Sequence, residues 1–294
     1  MSGFGGCQVS DVSVIGTGAM GTALVEALKA SGADVTVWNR TKAKAEVLSG
    51  LRVHLAESVN VALMSSPLTI MSVSDHDVAR ILVEGAGQVL RGSVVASTSF
   101  VTADQAQEFE AVVSAAGGAY LDLEIAAGPR QVRARAGVFL VSGHRTAFEA
   151  HRERLERIGR VTYVNAAPAS AYLSGMAVQL GFLPMAVGLL QGARIAESQD
   201  IPREVFRKGV LDFYQFHIEQ LLDQIVAPPD RSEPVVEVPV DVMAAWAAEY
   251  GAALREMGID PGMYDALHRL FTAASESGHG ETDWTCIAEH VATR

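Results

Sequence analysis

The chain has 294 residues, 49% of them apolar and 19% charged, enough apolar material for two separate cores and too much for a disordered segment. Its net charge of −11 argues against nucleic acid as a partner. Cys7 and Cys286 stand alone, without a C-x-x-C pair or clustered His and carboxylates, so neither a disulfide framework nor a metal site is expected.

The first ten residues are Gly-rich and lack a basic start followed by an apolar core; they read as the frayed beginning of a cytoplasmic protein. Next comes an apolar strand, Val12 to Ile15, running into Gly16-Thr17-Gly18-Ala19-Met20-Gly21 and then a helix through Leu28. In a strand-turn-helix context these glycines form a dinucleotide turn. Gly16 permits the tight bend, Gly18 lets backbone N–H groups approach a pyrophosphate, and Gly21 lets the helix pack on the strand. A second strand, Asp34 to Trp38, ends at Asn39 where an NAD site would place Asp or Glu for the ribose 2′-hydroxyl. Asn39, Arg40, Thr41 and Lys44 instead offer small donors and cations, which suit a 2′-phosphate and therefore NADPH.

Short apolar strands then alternate with helical segments, the pattern of a parallel sheet covered on both faces. Strands are expected at Leu68 to Val73, Ser93 to Ala96, Ala119 to Leu121, Gly137 to Ser142 and Arg160 to Val164. Ligands of such sheets bind at the carboxyl ends of the strands, which puts Val73, Ser74, Thr98 and Ser99 beside the nicotinamide half of the cofactor. From Val161 to Ala193 no side chain is charged. The run is long enough for a membrane span, but Asn165, Ser170, Ser174, Gln179, Pro184 and Gln191 interrupt it, and a buried connecting helix of a soluble protein is expected instead. A helix apolar on nearly all faces needs cover all round, which implies a partner subunit, and Pro184 should kink or break it. Beyond Glu197 the pattern is helical: a first helix after Pro202, stopped by Pro228-Pro229, an irregular linker from Asp230 to Pro239, then helices at Val240 to Met257 and Met263 to Glu276 and a closing segment from Asp283 to Val291. The expected division is a Rossmann domain over residues 1–164, an interdomain helix over 165–197 and a helical domain over 198–294.

The whole pattern resembles the β-hydroxyacid dehydrogenase superfamily and, within it, the NADPH-dependent imine reductases. The resemblance rests on Gly16-x-Gly18-x-x-Gly21, Trp38-Asn39-Arg40-Thr41, Val73-Ser74-Asp75, Tyr120-Leu121-Asp122 and the late Gly278-His279-Gly280-Glu281-x-Asp283-Trp284. It implies an α/β N-terminal domain, an all-α C-terminal domain, a domain-swapped homodimer, and reduction of a cyclic imine or iminium by hydride from NADPH. Hydroxyacid dehydrogenases of the superfamily carry a lysine early on the connecting helix, and imine reductases usually carry Asp or Tyr there. Here unbroken spacing puts Leu173 at that position, which cannot donate a proton. Glu124 ranks first as the compensating charge, just past an expected strand end, followed by Tyr172 and by Tyr214 or His217 from a partner subunit. Hydride transfer to a preformed iminium needs no donor in the bond-forming step, so Leu173, Met176, Phe182 and Met185 could serve as apolar walls, with Gln179, Tyr214 and His217 completing the candidate substrate contacts. A carbonyl reductase of the same superfamily and a non-catalytic NADPH sensor are the alternatives.

Overall fold

A computed structural model describes residues 10–73, 75–99, 102–226 and 236–289. Cys7, Ser74, Pro228-Pro229, most of the expected linker and Val291 lie outside the described residues. The chain divides into two compact units, Met1–Leu180 and Gly181–Arg294.

The first unit is a sheet with helices on both faces. Its strands are β1 (Val12–Ile15), β2 (Val35–Trp38), β3 (His54–Leu55), β4 (Leu68–Met71), β5 (Val94–Ser97), β6 (Ala119–Ile125), β7 (Gly137–Gly143) and β8 (Gly159–Tyr163). They lie in the order β3-β2-β1-β4-β5-β6-β7-β8, all neighbours parallel except β6 and β7. Helices α1 (Ala19–Ala30), α2 (Lys42–Glu46), α3 (Val59–Met64), α4 (His76–Glu84), α5 (Ala103–Ala115), α6 (Pro129–Arg133), α7 (Arg145–Glu156) and α8 (Ser170–Gln179) connect and cover it. Strands β1, β4 and β5 are buried along their length, which is why they read as continuous apolar runs. Strand alternation sends Val12, Val14, Val94, Ala96, Leu121 and Leu123 into one core and Ile15, Val95 and Tyr120, with Phe109 of α5, into the other.

The fold corrects two expectations. The strand beginning at Ala119 does not stop at Leu121; it continues to Ile125, with Asp122 paired to Ser142 and Glu124 to Leu140. Glu124 therefore lies within a strand, on the face shared by Tyr120 and Asp122, and α8 packs over that part of the sheet. The connecting helix also begins later than residue 165. The uncharged run first supplies most of β8, and its long helical stretch is Ser170–Ser198, interrupted at Leu180-Gly181 into α8 and α9 (Phe182–Ser198). Pro184, in the first turn of α9, has no N–H to give the Leu180 carbonyl, and its ring crowds that oxygen, so the expected interruption falls one turn before it.

The second unit is helical: α9, α10 (Arg203–Val226), α11 (Val240–Glu256) and α12 (Gly262–Ala274), followed by a π turn at Ser275–His279 and a 3-10 turn at Trp284–Glu289. Val240, Phe271 and Ala274 form its small core with Leu267, Trp284 and Ile287 packed against them. Large apolar side chains also stand outside that core, with Leu183 and Leu190 of α9 and Phe216 of α10 about two-thirds open to solvent.

Candidate functional site

The β1–α1 turn separates what the fold requires of its glycines from what a ligand requires. Gly16 has φ 94°, and a Cβ there would lie 2.2 Å from the Ser72 carbonyl oxygen. A Cβ on Gly21 would lie 1.9 Å from the Gly16 carbonyl oxygen, so α1 can approach β1 only without a side chain. Gly18 differs: a Cβ there meets nothing within 4 Å. It begins α1 as an N-cap without a side-chain acceptor, and Gly18 and Ala19 are exposed while Met20 is half-buried. The buried hydroxyl of Thr17 has no hydrogen-bond partner among the described residues. Open space beside a helix N-terminus, with an orphaned buried hydroxyl next to it, fits the phosphates of a dinucleotide.

Asn39 ties this turn to the end of β2: its Oδ1 accepts from the Thr17 N–H at 3.1 Å and its Nδ2 donates to the Thr41 carbonyl at 2.9 Å. Arg40, Thr41 and Lys44 are exposed beyond it. Among the described residues, ion pairs engage Lys42 with Glu46 but neither Arg40 nor Lys44. On the other side of β1, where the strand order reverses, the Ser72 N–H donates to the Ile15 carbonyl at 2.8 Å and a Cβ on Gly16 would lie 3.2 Å from Val73. Thr98 donates its N–H to the Met71 carbonyl at 2.9 Å, and the buried Ser99 hydroxyl donates to the Val73 carbonyl at 3.4 Å. The glycine turn, Val73, Thr98 and Ser99 thus share the carboxyl edge of β1, β4 and β5, the place where such sheets bind ligands.

Of the polar residues expected to serve the substrate, Glu124 lies beneath α8, which carries Tyr172 and Gln179. Asp122 is buried; its Oδ2 accepts from the Tyr172 N–H at 3.0 Å and from the Ser142 hydroxyl at 3.4 Å. Burial raises its carboxyl to about 6, and those two bonds oppose the rise. Glu124 is 8% exposed, and its Oε1 accepts from Gln179 Nε2 at 2.9 Å. Burial pushes its carboxyl above the ordinary value, the Gln179 bond opposes this, and the charge of Asp122 adds to it. A Cβ on Gly175 would lie 2.3 Å from Glu124 Cγ, so this glycine is what lets the helix cross the carboxylate. Tyr172 is half-buried against the Phe109 core, while Leu173 and Met176 are each 43% exposed. Glu124 and Gln179 are therefore brought together, Tyr172 is tied through its N–H to Asp122, and Glu124 lies under the helix instead of in an open loop.

Tyr214 and His217 belong to the second unit. The His217 ring stacks on Phe213 at 4.0 Å, and Tyr214 meets the same ring edge-on at 5.6 Å. The late glycine motif is a latch within that unit. Asp283 Oδ2 accepts from the Glu237 and Val238 N–H groups at 3.0 and 3.3 Å, and Oδ1 accepts from the Thr285 N–H and hydroxyl at 3.1 and 2.7 Å. Burial works to raise its carboxyl, but these bonds prevail and hold it below the ordinary value. Gly280 is bare because a Cβ there would lie 2.6 Å from an oxygen of Asp241. Ser142 and Gly175 carry no local signal of their roles; pairing Ser142 with Asp122 requires the β6–β7 register.

Residues 11–166 match the NAD binding domain of 6-phosphogluconate dehydrogenase, and residues 167–293 match the C-terminal domain of NADPH-dependent reductive aminase-like proteins. Among solved structures, the chain is similar to an imine reductase from Myxococcus stipitatus in complex with NADP+, at 27% identity and TM-score 0.86, covering 96% of this chain and 100% of that one. It is also similar to a reductive aminase from Aspergillus terreus in complex with NADPH and ethyl levulinate, at 25% identity and TM-score 0.88, covering 97% and 100%. An NADPH-dependent reductive aminase from Aspergillus oryzae is 27% identical over 188 residues, 64% of each chain. The cytokine-like nuclear factor N-PAC of Homo sapiens is 26% identical over 209 residues, 68% of this chain and 38% of that one. The chain thus spans less than two thirds of the length of these curated relatives.

Proposed function

Because the chain belongs to the family that joins a 6-phosphogluconate dehydrogenase-type NAD-binding domain to a reductive aminase-like C-terminal domain, we propose that it reduces the C=N bond of a cyclic imine or iminium with NADPH. The observation that carries the proposal is the open space at Gly18, beside Arg40 and Lys44, which form no ion pair among the described residues, in a chain whose C-terminal half is of the reductive aminase-like kind. Gly18, Ala19 and Thr17 would hold the pyrophosphate, and Arg40, Thr41 and Lys44 the 2′-phosphate, with Asn39 keeping the two parts in register. When bound, NADPH supplies the hydride.

The chain's own residues supply the surroundings. Leu173 and Met176 offer an apolar wall that excludes water and gives no proton, which suits a substrate nitrogen already carrying positive charge. Glu124 acts from one side chain away: it holds Gln179, and its carboxylate, once ionised, favours a cation beyond that amide. The apolar faces of α9 and α10 support a homodimer as the working form, since a window of Ser170–Ser198 with mean hydropathy 1.7 is only 6% buried in the single chain.

The test is NADPH consumption across cyclic imines and iminium salts with ketones as controls, for the wild type and Glu124→Gln. Faster turnover of iminium salts than of ketones is expected, with kcat/KM lowered about 10–100-fold in the variant, less than for a group in direct contact. Ketone reduction alone would instead support a carbonyl reductase, and tight NADPH binding without turnover a sensor. Normal iminium reduction by Glu124→Gln would move the search to Tyr172, Tyr214 and His217. Sedimentation of a folded monomer at low concentration would contradict the homodimer.

A further inference from the structure

The start of α8 is held by the sheet beneath it. Ala169 precedes the helix at φ 66° and offers no side-chain cap, a left-handed backbone that a residue with a Cβ adopts only when its surroundings impose it. The first N–H groups are nevertheless all engaged. Ser170 donates to the Ala167 carbonyl at 3.3 Å, Ala171 to the Ser142 hydroxyl at 2.9 Å, Tyr172 to Asp122 Oδ2 at 3.0 Å, and Leu173 to the Ala169 carbonyl at 2.9 Å. Ser142 can accept from Ala171 because its own proton points to Asp122. Asp122 and Ser142 face each other across β6 and β7, so the strand register fixes the spacing of both acceptors. They are 1% and 0% exposed, out of reach of any substrate.

We propose that Asp122, together with the Ser142 hydroxyl it orients, is the positioning residue that sets the rotation of α8 and so presents Leu173 and Met176 to the substrate. The proposal rests on the imine-reducing function above. A helix turns about 100° per residue, so an unanchored start that slips by one residue carries Leu173 off the exposed face and tilts Gly175 away from Glu124. The anionic acceptor also sits at the positive end of the helix.

Hydrogen exchange at the Ala171 and Tyr172 amides, the NADPH Kd, and kcat and KM for a cyclic imine are measured for wild type, D122A, D122N and S142A. In D122A the two amides exchange about tenfold faster and kcat falls by about tenfold, as loss of a bond to a charged acceptor predicts, while NADPH affinity stays within about twofold because the glycine turn is separate from this anchor. D122N keeps an acceptor oxygen and recovers most of both losses. Native exchange in D122A and S142A overturns the anchor. Equal loss of kcat in D122N and D122A with native exchange overturns it as well, since the charge would then act chemically. Should D122A fail to fold, S142A removes the Ala171 acceptor together with one donor to Asp122 while leaving the Asp122 carboxylate in place, and decides through exchange at the Ala171 amide. A wild type that reduces no imine defeats the functional assignment alone, and the anchor is then judged by exchange.

Discussion

Replacing Gly18 and Gly21 separately by alanine divides ligand binding from folding within one turn. At Gly21 the new methyl would sit 1.9 Å from a carbonyl oxygen and 2.9 Å from its carbon, both backbone atoms of Gly16 that cannot swing aside. Overpacking of this kind costs about 3 kcal/mol or more. In a domain of this size that lowers Tm by roughly 6–12 °C. At Gly18 the backbone, φ −69° and ψ −171°, is open to alanine and the methyl meets nothing within 4 Å. Alanine is a poorer N-cap than glycine but loses less chain entropy on folding, and the two effects, each about 0.5–1 kcal/mol, nearly cancel. The methyl does fill the space through which a phosphate would reach the N–H groups of the turn. Loss of one charge-assisted bond, about 1.5–3 kcal/mol, lowers NADPH affinity roughly 10–150-fold. Thermal unfolding without cofactor and fluorescence titration with NADPH read the two effects. A Gly18→Ala protein with native NADPH affinity, or a Gly21→Ala protein with native Tm, would refute the division.

Arg40→Ala and Lys44→Ala should each weaken NADPH by about tenfold and leave NADH nearly unchanged; equal wild-type affinity for the two cofactors in a titration would remove these residues from phosphate recognition. Gly175→Ala should destabilise the chain by about 1–3 kcal/mol through its clash with Glu124, and Glu124→Ala in the same chain should restore most of it, whereas additive losses in denaturant unfolding would show that α8 does not cross that carboxylate. Asp122, held at about 6 against an ordinary 3.8, keeps its proton longer in the folded chain than in the unfolded one. Its contribution to stability is therefore greatest below about pH 4 and declines as pH rises to about 6, by about 3 kcal/mol in all. Relative to Asp122→Asn, which has no such proton, the wild type should lose that much between about pH 4 and about pH 7; parallel stability profiles would contradict the raised value.

The glycine turn and the strands around it were legible in the chain itself. Glycine spacing, the apolar β1 and the absence of an acid at Asn39 are local signals, because that turn and its neighbours are built from adjacent residues and their chemistry is set by what lies a few positions away. The strands buried on both faces were equally legible from their apolar runs. The surroundings of Asp122 and Glu124 depend on elements far apart in the chain. Asp122 and Glu124 read as the end of a strand because carboxylates interrupt the apolar pattern, yet β6 continues beneath them: the N–H group that satisfies Asp122 is 50 residues away, and the amide that satisfies Glu124 is 55 residues away. The bare Gly175, the role of Ser142 and the buried state of Glu124 follow from that same crossing. A polar residue in a strand can be stabilised by a helix remote in sequence, and no periodicity within the strand records where that helix will lie.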